Sequence, residues 1–183
     1  MQVMTTTMRQ YDKAIAFCKD IFEKKMKDYG SAWRILRTSS ITDQIFIKAQ
    51  RIRSIEEKGT QRVEDGIREE FAGIINYAII ACIQLELGTG VKPDLNTEQA
   101  VKLFDQHVKK ARSLMENKNH DYDEAWRKMR VSSMTDLILM KLLRIKQIED
   151  NKGETLISEG IEANYCDIVN YAVFALIKID EEA

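Results

Sequence analysis

The chain has 183 residues, of which 44% are apolar, 31% charged and 8% aromatic. That length suits one domain or two small ones, and the composition is too apolar for disorder and too charged for a membrane protein. Lys plus Arg number 28 against 29 Asp plus Glu, a net charge of −1, so the basic excess that favours broad nucleic-acid binding is missing and direct DNA binding ranks low.

The opening MQVMTTTMRQYDK lacks the apolar core of a signal peptide. A first helix is expected from about Thr7 to Lys27, with Ala14, Phe17, Cys18, Ile21 and Phe22 at three- and four-residue spacing. After DYGSAW, a second begins behind Ser39-Ser40 and carries Ile45, Ile52 and Ile55. A third, over about 62–87, has Val63, Ile67, Phe71, Ile74, Ala78 and Leu85 as one stripe and is apolar nearly all round in its middle, as in the centre of a bundle. Its most apolar run, Ala72 to Leu85, contains Asn76, Tyr77 and Gln84 and is too short to span a bilayer, so no membrane association is expected.

The chain holds a single proline, Pro93, which with its neighbouring glycines marks a break. Asn96 and Gln99 then have the pattern of a capping box, opening a helix with Ala100, Val101, Phe104, Val108, Ala111, Leu114 and Met115 as its stripe. A helix with Ile138, Leu142, Ile145 and Ile148 follows Ser132-Ser133, and a last one is expected over about 155–180. Cys18, Cys82 and Cys166 lie far apart and read as reduced, mostly buried thiols of a cytoplasmic protein. His107 and His120 have no partner at metal-ligand spacing.

The second half repeats the first. With a shift of 93, sixteen of thirty-one positions are identical between 27–57 and 120–150, and a shift of 94 aligns the third helices, matching Asn76 with Asn170 and Tyr77 with Tyr171. The expected fold is all-α: a first repeat (1–90), a linker (91–96) and a second repeat (97–183), each of three helices. Each unit has an apolar face left over, and an approximate internal twofold buries both. The duplication either replaces a homodimer or leaves two chains able to pair as one.

The polar residues retained in both copies are the candidate site. Lys48 and Arg51, like Lys141 and Arg144, lie one helical turn apart and suit phosphate oxygens; the other reading is ion pairing with glutamates of the third helix. Asp28, Tyr29 and Trp33, with Asp121, Tyr122 and Trp126, could hold a base by stacking and hydrogen bonding; otherwise the aromatics close the corner between two helices. Asp43 and Asp136, three residues after Ser40 and Ser133, have capping-box spacing, with a metal-ligand role as the alternative. Glu69, Glu70 and Asn76, and Glu162, Asp167 and Asn170, place carboxylates and amides on an apolar helix, where burial is costly without partners. Cations of the second helix, or Mg²⁺ with phosphate, would satisfy them.

The order DYG-x-x-W, K-x-x-R-I and D-I-x-N-Y-A, followed over roughly 27–87 and 120–180 with Asp123 for the glycine in the second copy and Gly73 for the aspartate in the first, resembles the nucleotide modification associated domain family. It also looks related to the MazG-like all-α nucleoside triphosphate pyrophosphohydrolases. That resemblance implies a Mg²⁺-dependent reaction on an ordinary or modified (d)NTP giving NMP and pyrophosphate, with Glu69, Glu70, Glu162 and Asp167 as metal ligands. The alternative is a non-catalytic nucleotide-binding or helical interaction module. At the ExxD position of those enzymes the first copy has Glu70-Phe-Ala-Gly73 and the second Asn164-Tyr-Cys-Asp167. A complete metal site therefore needs Glu69 or Glu70 beside Asp167 across the twofold.

Overall fold

The computed structural model describes residues 5–60 and 66–183. Among the described residues six α-helices make up the fold: α1 (Thr6–Tyr29), α2 (Thr38–Lys58), α3 (Ile67–Leu87), α4 (Thr97–Tyr122), α5 (Val131–Asp150) and α6 (Ile161–Glu182). No strand occurs among the described residues. Short 3-10 turns, Ala32–Ile35 and Ala125–Lys128, join α1 to α2 and α4 to α5. Each repeat is thus three helices, as its apolar periodicity predicts.

Helices α2, α3, α5 and α6 form the central bundle, with α3 packed most extensively on α6 and α2 on α5 across the two repeats. Helices α1 and α4 lie against α3, α6 and each other. The middle of α3, from Phe71 to Gln84, is buried apart from Gly73 and Tyr77, and α6 is buried in the same way. On length and composition the whole of Ile67–Leu87 could cross a bilayer, unlike its shorter run from Ala72; here 61% of its apolar window is buried inside the bundle.

Matched ion pairs trace the internal twofold. Lys19 reaches Asp105 at 3.0 Å, and Arg112 reaches Asp12 at 2.7 Å. Asp43 pairs with Lys146 at 3.2 Å, and Asp136 with Arg53 at 3.9 Å. In each pair of contacts the partners exchange roles between the repeats, which is the mark of an isologous interface.

Three boundaries differ from the sequence expectation. Helices α2 and α5 begin at Thr38 and Val131, ahead of the Ser-Ser pairs, with Arg37 and Arg130 at the cap positions and no side-chain cap. Ser40 and Ser133 therefore lie within the first turn, and Asp43 and Asp136 serve the contact between repeats. The Asn96–Gln99 capping box does form, at 2.8 and 3.0 Å. The last helix begins at Ile161 rather than near 155, because Gly153 and Lys152 adopt positive φ and the chain runs irregularly to Gly160. The expected start of the third helix near 62, with Val63, lies outside the described residues.

Candidate functional site

Each repeat turns the same corner. In the first, Gly30 leaves α1 with φ of 62°, in the left-handed region that glycine enters at little cost. The 3-10 turn that follows carries Trp33 and Arg34. Gln84 of α3 fixes that turn by donating to the carbonyls of Arg34 and Leu36 at 2.9 and 2.7 Å. In the second repeat Lys178 of α6, at the equivalent position, donates to the Arg127 carbonyl at 2.8 Å. Arg34 is buried, hydrogen-bonds to Gln84, and reaches the linker at Asp94 Oδ1 (2.8 Å) and the Gly88 carbonyl (2.7 Å).

Beside each corner lies a cavity, and the two are unequal. The first-repeat cavity, about 690 Å³, is lined by Phe22, Lys25, Tyr29, Trp33, Lys48, Glu69, Glu70, Gly73, Asn76, Tyr77 and Ile80 among others. The second, about 290 Å³, is lined by the twofold equivalents Met115, Lys118, Tyr122, Trp126, Asp167, Asn170, Tyr171 and Phe174. A wider recess of about 1210 Å³ lies beneath residues 150–159 and takes in Arg144 and Lys141.

Three of the four candidate cations on α2 and α5, Lys48, Arg51 and Lys141, meet carboxylates. In the first repeat Glu70 accepts from Arg51 at 3.1 Å, with Lys48 Nζ further off at 3.8 Å. In the second repeat Asp167 lies between Lys118 at 2.7 Å and Lys141 at 2.8 Å and is 5% exposed. Burial lowers the affinity of Lys118 for its proton, but the hydrogen bond and charge of Asp167 outweigh this and raise its pKa.

Asn76 and Asn170 each donate to a carbonyl of the first helix in their own repeat, Cys18 and Ala111, both at 3.0 Å. They anchor the third helix to the first. The Trp33 and Trp126 indole N–H groups are buried without a hydrogen-bond partner among the described residues. Trp33 packs on Phe22 at 6.3 Å between ring centroids and is half-buried. Trp126 is stacked against Phe174 at 4.2 Å, with the ring planes 5° apart. The tryptophans therefore close the corners and line the cavities as well.

Tyr29 and Tyr122 stand at the mouths of the cavities, 71% and 70% exposed. Asp28 and Asp121 are exposed and line neither cavity. The candidate metal ligands do not converge. Glu69 accepts from the Gly66 N–H at 3.0 Å at the start of α3, Glu162 pairs with Lys110 at 3.4 Å on the surface, and Glu70 and Asp167 line different cavities. Among the described residues no three His, Cys, Asp or Glu side chains form a group able to hold a metal ion. The composite carboxylate site expected across the twofold is not assembled.

Sequence reading missed Lys25 and Lys118 and the contrast of Ile80 with Phe174. The lysines were detectable, since the shift of 93 superposes them; their meaning depends on which way the first helix faces.

The arrangement defines a tandem-repeat all-α protein with a cavity of small-molecule size beside Trp33 and two lysines. The chain belongs to the family described as Nucleotide modification associated domain 1, which matches residues 25–85 and 118–179. Comparison with curated proteins and with solved structures gave no significant match.

Proposed function

We propose that the protein binds a nucleotide in the first-repeat cavity, with Trp33 against the base and Lys48 toward the phosphates. The observation that carries this is the juxtaposition in one cavity of about 690 Å³ of a half-buried tryptophan with Lys25 and Lys48. The volume is in the range of sites that enclose a small ligand, and an apolar wall with a few charged groups is their usual construction. The family's description, which associates it with nucleotide modification, supports the same ligand class. If Lys48→Met leaves nucleotide affinity unchanged in calorimetric titration, the assignment is wrong; a nucleotide without effect on melting temperature or on titration heat favours a purely structural partner role.

Hydrolysis of an ordinary or modified (d)NTP to NMP and pyrophosphate, in the manner of the MazG-like enzymes, is the second reading. It is favoured by Glu69 and Glu70 lining the same cavity as Lys48. Their present engagements, with Gly66 N–H and with Arg51 and Lys48, do not by themselves make a Mg²⁺ centre. Product analysis over a panel of NTPs and dNTPs, with and without Mg²⁺, decides it. Metal-dependent pyrophosphate release establishes the enzyme; binding without product leaves a nucleotide-binding module.

A further inference from the structure

The two cavities are copies of one site, and the second shows what the first lacks. On α6, Asp167 and Phe174 are seven residues apart, two helical turns or about 10 Å along one face. The Asp167 carboxylate lies between Lys118 and Lys141, and the Phe174 ring stacks on Trp126. The equivalent positions on α3 are Gly73 and Ile80. At Gly73 there is no carboxylate, and at Ile80 no ring.

The two lysines and two aromatic positions around them are retained in the first repeat: Lys25 for Lys118, Lys48 for Lys141, Trp33 for Trp126, Tyr77 for Tyr171, while Glu70 stands where the second repeat has Asn164. Lys25 has no ion pair among the described residues. Lys48 lies across Gly73 so closely that an added Cβ would meet its Cε at 3.0 Å and its Nζ at 3.2 Å. Its nearest carboxylate, Glu70, is 3.8 Å away and is already hydrogen-bonded to Arg51. Trp33 is half-buried where Trp126 is 6% exposed.

We infer that the second repeat is a ligand site closed by its own side chains, and that the first repeat alone takes a ligand. The ligand carries an anion where Asp167 places its carboxylate and a flat ring where Phe174 places its own. It therefore lies with its anion over Gly73 between Lys25 and Lys48 and its ring on Trp33. This deepens, and rests on, the reading of the first-repeat cavity as a nucleotide site. A nucleoside di- or triphosphate has both features at about the separation of two helical turns; inorganic phosphate lacks the ring and a free nucleoside lacks the anion.

The test is calorimetric titration of the full chain with nucleoside triphosphates and, as an aromatic anion unlike a nucleotide, anilinonaphthalene sulfonate. Wild type should bind one ligand per chain. Gly73→Asp should supply the missing carboxylate and weaken binding roughly tenfold or more. It should leave the melting temperature unchanged or higher, since the closest crowding is against the flexible end of Lys48. Asp167→Ala with Phe174→Ile should leave the first site's affinity intact and add a second, with circular dichroism confirming the fold. Two ligands per wild-type chain, a Gly73→Asp variant that binds as wild type, or loss of binding with Asp167→Ala would each overturn the inference. Binding of the sulfonate but not of nucleotides, still abolished by Gly73→Asp, would refute the nucleotide reading while upholding the one-sided site. Binding of neither refutes both.

Discussion

The Tyr11 hydroxyl donates to Asn170 Oδ1 at 2.7 Å across the interface between repeats, and the twofold-related position holds Phe104. Phenylalanine has no hydroxyl to offer, so Asn76 Oδ1 is buried without a partner among the described residues. The same break of symmetry explains an otherwise anomalous buried acceptor. Leaving such a group unsatisfied costs about 1–3 kcal/mol. Tyr11→Phe should therefore destabilise the protein by about 1–3 kcal/mol in denaturant unfolding. Phe104→Tyr should recover about 1 kcal/mol by giving Asn76 the missing donor. No loss of stability in Tyr11→Phe would show that water or relaxation already satisfies these amides.

A second prediction concerns pH. Glu56 and Glu149 are twofold equivalents at the contact of α2 with α5, hydrogen-bonded to Thr135 and Thr42 respectively. Burial is the chief cause that raises both carboxyls above the ordinary glutamate value, against the lowering effect of those hydrogen bonds. An acid whose folded pKa is raised binds more proton folded than unfolded. Its contribution is therefore favourable in acid and is lost as pH rises through the folded pKa. Glu56→Gln with Glu149→Gln should raise the melting temperature near neutrality, and the difference from wild type should shrink in acid. A difference that instead grows as pH falls would contradict the assignment.

The corner latch gives a third. Gln84 is 1% exposed and binds the carbonyls of Arg34 and Leu36 as well as the Arg34 guanidinium. Gln84→Ala should cost about 2–3 kcal/mol, as expected for several buried hydrogen bonds lost together. Because the same turn carries Trp33, the variant should also weaken ligand binding. Full stability with weakened binding would instead place Gln84 in the site rather than behind it.

Much of the architecture was legible because apolar spacing and duplication are properties of sequence alone. The three helices per repeat follow from positions that can be superposed by eye, whereas the ion pairing of Lys48, Arg51 and Lys141 with third-helix carboxylates is one of two readings that spacing leaves open. The Ser-x-x-Asp motifs misled because a cap is defined by where the backbone turns helical. The 3-10 corner delivers an extended chain at Arg37 and Arg130, so helix begins ahead of the serines. Glu70 and Asp167 are a different case. As sequence they resemble halves of a metal-binding pair; in space they line two separate cavities, and the position that Asp167 fills in the second is Gly73 in the first. That distinction depends on which side of the helix pair faces Lys25 and Lys118, and spacing along one chain does not carry it.

The most direct test of the account uses the chain's only two tryptophans, one in each cavity. Their indole N–H resonances can be followed by nitrogen-correlated NMR as a nucleoside triphosphate is added, with Trp33→Phe making the assignment. The account predicts that the Trp33 signal shifts and saturates at one ligand per chain while the Trp126 signal stays in place. Movement of the Trp126 signal alone, of both together, or of neither would contradict it.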